Sequence, residues 1–117
     1  MSMNLMKNRV TLVGNVGQAP EVRTIANGRK MARLSVATNE RYKNNQDEWV
    51  NDTQWHNIVA WGKQAEAVEQ KLSKGDEVMI EGKLVHSEYT DKEGIKRYST
   101  DIELHGLLLL DKKQSGS

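Results

Sequence analysis

A chain of 117 residues has room for one hydrophobic core but not two. With 28% charged and 37% hydrophobic residues it reads as a soluble globular domain, and the absence of cysteine excludes disulfides and thiolate zinc sites. The net charge of +1 conceals a segregation: residues 1–43 hold eight Lys/Arg against two Asp/Glu, whereas residues 44–117 hold nine against fourteen. Such a chain can offer a polyanion one basic face while its overall pI stays ordinary.

The opening residues, MSMNLMKNRV, lack the apolar run of a signal peptide. Leu107 to Leu110 is too short to cross a membrane, so the expected location is the cytoplasm, without membrane contact. Arg9 to Val13 alternates as a strand does and is expected to stop at Gly14, with Gly17 just beyond marking a bend or bulge. Val22 to Ile25 is a short second piece, turned back by Asn27-Gly28, a strong hairpin signal. From Met31 to Thr38 the alternation points Ala32, Leu34, Val36 and Thr38 inward, and Arg33 and Ser35 outward. Residues 39–52 are polar and turn-rich, and read as a long hairpin loop carrying Tyr42 and Trp49. A helix is expected over Lys63 to Leu72, with Ala65, Val68 and Leu72 on one face and Gly75 as its C-terminal cap. Glu77 to Val85 reads as a strand, Thr90 to Gly94 as a turn, and Lys96 to Leu110 as a final long strand. The domain is thus placed at 1–110, followed by a short polar tail over 111–117 that is expected to fray.

The stretch Thr53 to Gly62 is the most informative. Read as a strand, it puts Trp55, Asn57, Val59 and Trp61 on one face, and His56, Ile58 and Ala60 on the other. Ile58 and Ala60 supply a core face without the indoles. Two rigid rings beside Asn57, with Lys63 just beyond, suit stacking on nucleic-acid bases, since every base has a π-face. The other reading, that both tryptophans are large core residues, stays open at this point. Tyr42 lies between Arg41 and Lys43, a cation–aromatic–cation triplet with the same chemistry. Trp49 is flanked by Asp47, Glu48 and Asp52, and that acidity points to packing or an inter-subunit role. Tyr98, after Lys96-Arg97, is expected to be structural.

Five strands with one helix between the third and the fourth fit an all-β Greek-key barrel of the OB type. The tryptophan pair and the Arg33 side of the second strand fall on the binding surface of such a barrel. The stretches NRVTLVGNVGQAPEVR at 8–23, LSVATNERY at 34–42, TQWHNIVAWGKQAE at 53–66 and LSKGDEVMIEGKL at 72–84 resemble the bacterial-type single-stranded DNA-binding protein (SSB) family. The similarity runs from about residue 7 to 105. It implies an OB fold, assembled as a homotetramer, that binds single strands without sequence preference in replication, recombination and repair.

Carried over by position, the stacking aromatics of the family fall on Trp55, Trp61, Tyr42 and Tyr89, and its basic backbone contacts on Lys43, Lys63 and Lys74. Best-known members have Phe at Trp61 and Trp at Tyr42 and Tyr89, and they carry basic residues at Asn57 and Glu88. Glu88 beside Tyr89 is expected to repel phosphate. The resemblance also places His56 at a subunit interface. Family members recruit replication and repair proteins through an acidic, Phe-ending tail, whereas this sequence ends in Lys112-Lys113-Gln114-Ser115-Gly116-Ser117.

His56, His86 and His105 sit on separate segments with no ligand partner at metal spacing, so no metal or other cofactor is expected. Gly14 and Gly17 lack the Gly-Lys-Ser/Thr ending of a phosphate loop, and no nucleophile elbow or carboxylate pair suggests an enzyme. Two other binding functions compete: a primosome-type OB protein acting in replication restart, and a protein-interaction barrel with Trp55 and Trp61 as a hot spot. A small hydrolase on the same barrel is the remotest reading.

Overall fold

The computed structural model describes residues 7–112. Among the described residues the strands and the α-helix follow in the order β1 (Val10–Val16), β2 (Glu21–Thr24), β3 (Lys30–Lys43), β4 (Trp49–Trp61), α1 (Lys63–Lys71), β5 (Glu77–Thr90) and β6 (Lys96–Asp111), with a 3-10 turn at Ala26–Gly28 between β2 and β3. Residues 1–6 and 113–117, which include most of the opening segment and of the polar tail, lie outside the described residues.

The strands close on themselves. β1 pairs antiparallel with β5, β5 with β6, β6 runs parallel to β4, β4 pairs with β3, and β3 returns to β1. β2 continues β1 rather than adding a stave. Asn15 and Val16 pair with Ala37 and Val36, and Glu21 to Thr24 then take the next stretch of β3, from Arg33 back to Lys30. The interruption contains Pro20, which has no N–H for the ladder. Counted this way, the molecule is a closed five-stranded barrel, as the OB reading requires.

The barrel core is built of aliphatic side chains. Val16, Ala32, Leu34, Val36, Ile58, Ala60, Val78, Ile80, Ile102 and Leu104 fill the barrel, and α1 closes one end with Ala65 and Val68, followed by Leu72. No aromatic ring is buried, so the tryptophans are not the core.

Several local expectations change. β1 passes through Gly14 instead of ending there. At Gly14 the backbone of β3 comes so close that a Cβ would strike the Ala37 carbonyl. Glycine therefore permits the strand to continue. α1 ends at Leu72 in extended conformation, and Gly75, at φ 91°, belongs to the following turn, where its N–H donates to the Val16 carbonyl. That turn is fixed by buried Asp76, which accepts from the Ser73 N–H at 2.9 Å and meets Lys112 Nζ at 3.2 Å.

The largest difference concerns 39–52. β3 and β4 remain paired without a register break from Met31↔Trp61 to Lys43↔Trp49, leaving only Asn44–Glu48 as the turn. Beyond Ala37 and Trp55 no third strand joins this ribbon, so it leaves the barrel as an arm wet on both faces. Hydrophobic alternation has nothing to report there. A second arm, Val85–Thr90 with Lys96–Asp101, extends the β5–β6 hairpin in the same way.

Candidate nucleic-acid interface

Residues directly opposite in an antiparallel pair share a face, and alternate residues switch faces. The unbroken β3–β4 register therefore sorts every side chain of the ribbon. One face carries Arg33, Ser35, Asn39, Arg41 and Lys43 from β3, and Trp49, Asn51, Thr53, Trp55, Asn57, Val59 and Trp61 from β4. The opposite face holds the core residues inside the barrel and, along the arm, Glu40, Tyr42, Asp52 and Gln54. The paired stretch thus has cations and all three tryptophans on one side, with its carboxylates on the other.

Trp55 is 62% exposed. Its indole lies over Gly17, where an added Cβ would run into ring carbon Cζ3 and come within 2.7 Å of Ser35 Oγ. Gly17, where β1 breaks off with the interruption expected there, is also the seat of this ring. Trp61 is half-buried, and the Arg29 guanidinium stands over it, 4.9 Å from the ring centroid. Arg29 escaped the sequence reading. Its signal was available in its place just after the Asn27-Gly28 turn, where the ribbon brings the start of β3 beside the end of β4.

Arg33 and Asn57 line an open groove of about 760 Å³ together with Ser35, Val59 and, from the other hairpin, Ser87 and Tyr89. Arg33, Asn57 and Tyr89, drawn from three strands, are thus brought together. The groove also contains Glu21, paired with Arg33 across β2 and β3, and Asp101. Tyr89 is 53% exposed and stands opposite Arg97. Glu88 alternates to the far side of its arm, where Lys96 Nζ meets its carboxylate at 3.1 Å. The phosphate repulsion expected from Glu88 beside Tyr89 is therefore turned away from the groove and offset by an ion pair. Tyr98 shares that far side and is 74% exposed, so it does not pack into the core of this chain.

The remaining candidates are more dispersed. Lys63 opens α1, two residues past Trp61, and is exposed. Lys74 is exposed in the turn whose Gly75 N–H bonds to Val16, the residue before Gly17. Lys43 lies 5.3 Å from the Trp49 ring and 3.5 Å from Asp47. Tyr42, half exposed, is on the acidic side of the arm and does not share a surface with Trp55. His56 is half-buried, its Nε2 3.0 Å from Thr38 Oγ1. Among the described residues no group of three or more His, Asp or Glu is placed to hold a metal ion, and no helix is long and apolar enough to cross a membrane.

The model of the single-strand binding protein family matches residues 7–110. The chain belongs to that family. It is 40% identical over 110 residues to single-stranded DNA-binding protein 1 of Chlorobaculum tepidum, covering 93% of this chain and 68% of the relative. Among solved structures, a Plasmodium falciparum SSB in complex with ssDNA superimposes with a TM-score of 0.82 at 31% identity, covering 89% of this chain and 95% of the other.

Proposed function

We propose that the protein binds single-stranded DNA without reading its sequence, and so coats and protects unpaired strands during replication, recombination and repair. One observation carries this: Trp55 lies exposed over Gly17, on a ribbon face whose β3 and β4 charges are all cationic. An exposed ring on a face whose charges are cationic offers a base its π-face, and Arg33 and Arg41 further along that face offer phosphates their counter-charge. Each stacked base contributes about 1–3 kcal/mol whatever its identity. Trp55 and Trp61 on β4 and Tyr89 on the β5–β6 arm are the stacking residues we propose, with Arg33, Asn57, Lys63 and Lys74 along the backbone path and Lys43 on the β3–β4 arm. Tyr42, which the family pattern also nominates, would be reached by a strand passing round the edge of the ribbon. The work is binding, with no chemical step.

The same reading includes self-association, as a homotetramer. Val13, Met79 and Leu108 form an exposed apolar row across β1, β5 and β6, beside the edge of β1 that no strand covers between Val10 and Gly14. An open edge next to an apolar row favours pairing with another copy.

Titration of the protein with oligo(dT), followed by tryptophan emission at two salt concentrations, tests the proposal. Quenching that saturates and weakens as salt rises is expected. Trp55→Ala should lose affinity with the fold intact. Lys63→Ala or Lys74→Ala should each lower the slope of log K against log salt by about 0.7. Salt-insensitive binding to a protein partner, with no response to oligo(dT), would favour an interaction barrel instead.

A further inference from the structure

We infer that Trp49 is a base-stacking residue at the outer end of the DNA path, held ready by Arg41 and Lys43; this rests on the single-strand binding proposed above and extends it onto the β3–β4 arm. Three observations converge. First, Trp49, Trp55 and Trp61 fall on one face of one strand at equal intervals of six residues. At the rise of a β-strand each interval is about 20 Å, the length of about six nucleotides at stacked spacing. Second, Trp49 is 61% exposed, as open as Trp55, because the arm has no hydrophobic core to bury it, and its ring is free to take a base. Third, the Arg41 guanidinium and the Lys43 ammonium stand 5.1 and 5.3 Å from its ring centroid. Two cations at one ring hold the indole in place and supply charge for the phosphates flanking a stacked base.

Of the acidity that surrounds Trp49 in sequence, Asp52 is turned away from it in space, and Asp47 stays near but is held by Lys43. Asp52 pairs with Glu40 on the other side of the ribbon, and Asp47 lies in the turn, 3.5 Å from Lys43. Tyr42, flanked by the same two cations in sequence, is the residue that shares a side with Glu40 and Asp52. A polyanion following the cationic side from Trp55 outward therefore meets Trp49 before Tyr42.

Anisotropy of a labelled oligo(dT) long enough to span the barrel and arm is measured with the parent, Trp49→Ala, Trp49→Phe, Tyr42→Ala and Trp55→Ala. Trp49→Ala should bind about fivefold or more weakly. Trp49→Phe should recover most of that loss, and Tyr42→Ala should lose less than Trp49→Ala. Sedimentation should find Trp49→Ala as associated as the parent. If Trp55→Ala weakens binding while Trp49→Ala binds as the parent does, the arm platform is wrong and the barrel reading stands. A Trp49→Ala variant that dissociates into smaller species would make Trp49 an inter-subunit contact and overturn the inference. A parent that ignores oligo(dT) would overturn both readings.

Discussion

Gly17 has the most specific role of any single residue outside the aromatic set. A Cβ there meets the edge of Trp55 and the Ser35 hydroxyl, both of which can swing away, so Gly17→Ala should fold. The displaced indole should then cost several-fold in oligo(dT) affinity, part of the roughly 1–3 kcal/mol that a stacked base contributes. Because the effect passes through one ring, it should vanish in a Trp55→Ala background. A double-mutant cycle measures this, and additive losses would show that Gly17 does not act through Trp55.

The arms are closed by two turns of one design. Asn44 Oδ1 accepts the N–H groups of Gln46 and Glu48, and Asp91 Oδ1 accepts those of Glu93 and Ile95. Each turn places its fourth residue at positive φ, Asp47 in one and Gly94 in the other. The Ile95 N–H, then the Arg97 guanidinium at 2.9 Å and the Glu93 N–H hold the Asp91 carboxyl below its ordinary 3.8. A depressed folded value means that the contribution of this turn is full above the ordinary carboxylate range. It fades as pH falls below 3.8 and is gone once Asp91 protonates in the folded state. An NMR titration of the Asp91 carboxyl should report the depressed midpoint, and Arg97→Gln should raise it part of the way back. A midpoint unmoved by that substitution would mean that Arg97, which shares the groove side with Tyr89, is not held by this turn.

For the whole molecule, the arms dominate the shape. The radius of gyration is 16.5 Å, above the roughly 13 Å of a compact domain of about this length. Two projecting ribbons increase the reach of the proposed binding surface but bury little. Leu108→Glu, in the apolar row, should shift the protein toward smaller species on dilution. His56→Tyr should do the same if its strand meets a neighbouring protomer, as the family pattern suggests. In both variants affinity for long strands should fall more than for short ones, because fewer barrels engage one strand. Sedimentation across a dilution series separates the outcomes. A His56→Tyr variant as associated as the parent would assign His56 to its own barrel, through Thr38.

The alternation of Met31 to Thr38 and of Trp55 to Trp61, the apolar spacing of Ala65, Val68 and Leu72, and the Asn27-Gly28 turn fitted an OB barrel, and left open whether its indoles lie inside or outside. These signals are local: burial on one side of a strand or helix writes a period into the sequence. The arm over residues 39–52 wrote none, because both of its faces meet water. Only the pairing of β3 with β4 could show that Trp49 lies with Arg41 and Lys43 and not with Asp52, and that Tyr42 lies opposite. In the same way, only the second hairpin turned Glu88 from Tyr89 toward Lys96. Neighbours in sequence fall on opposite sides of a strand, so the charge around a ring is decided by register across the sheet and not by the residues beside it in the chain.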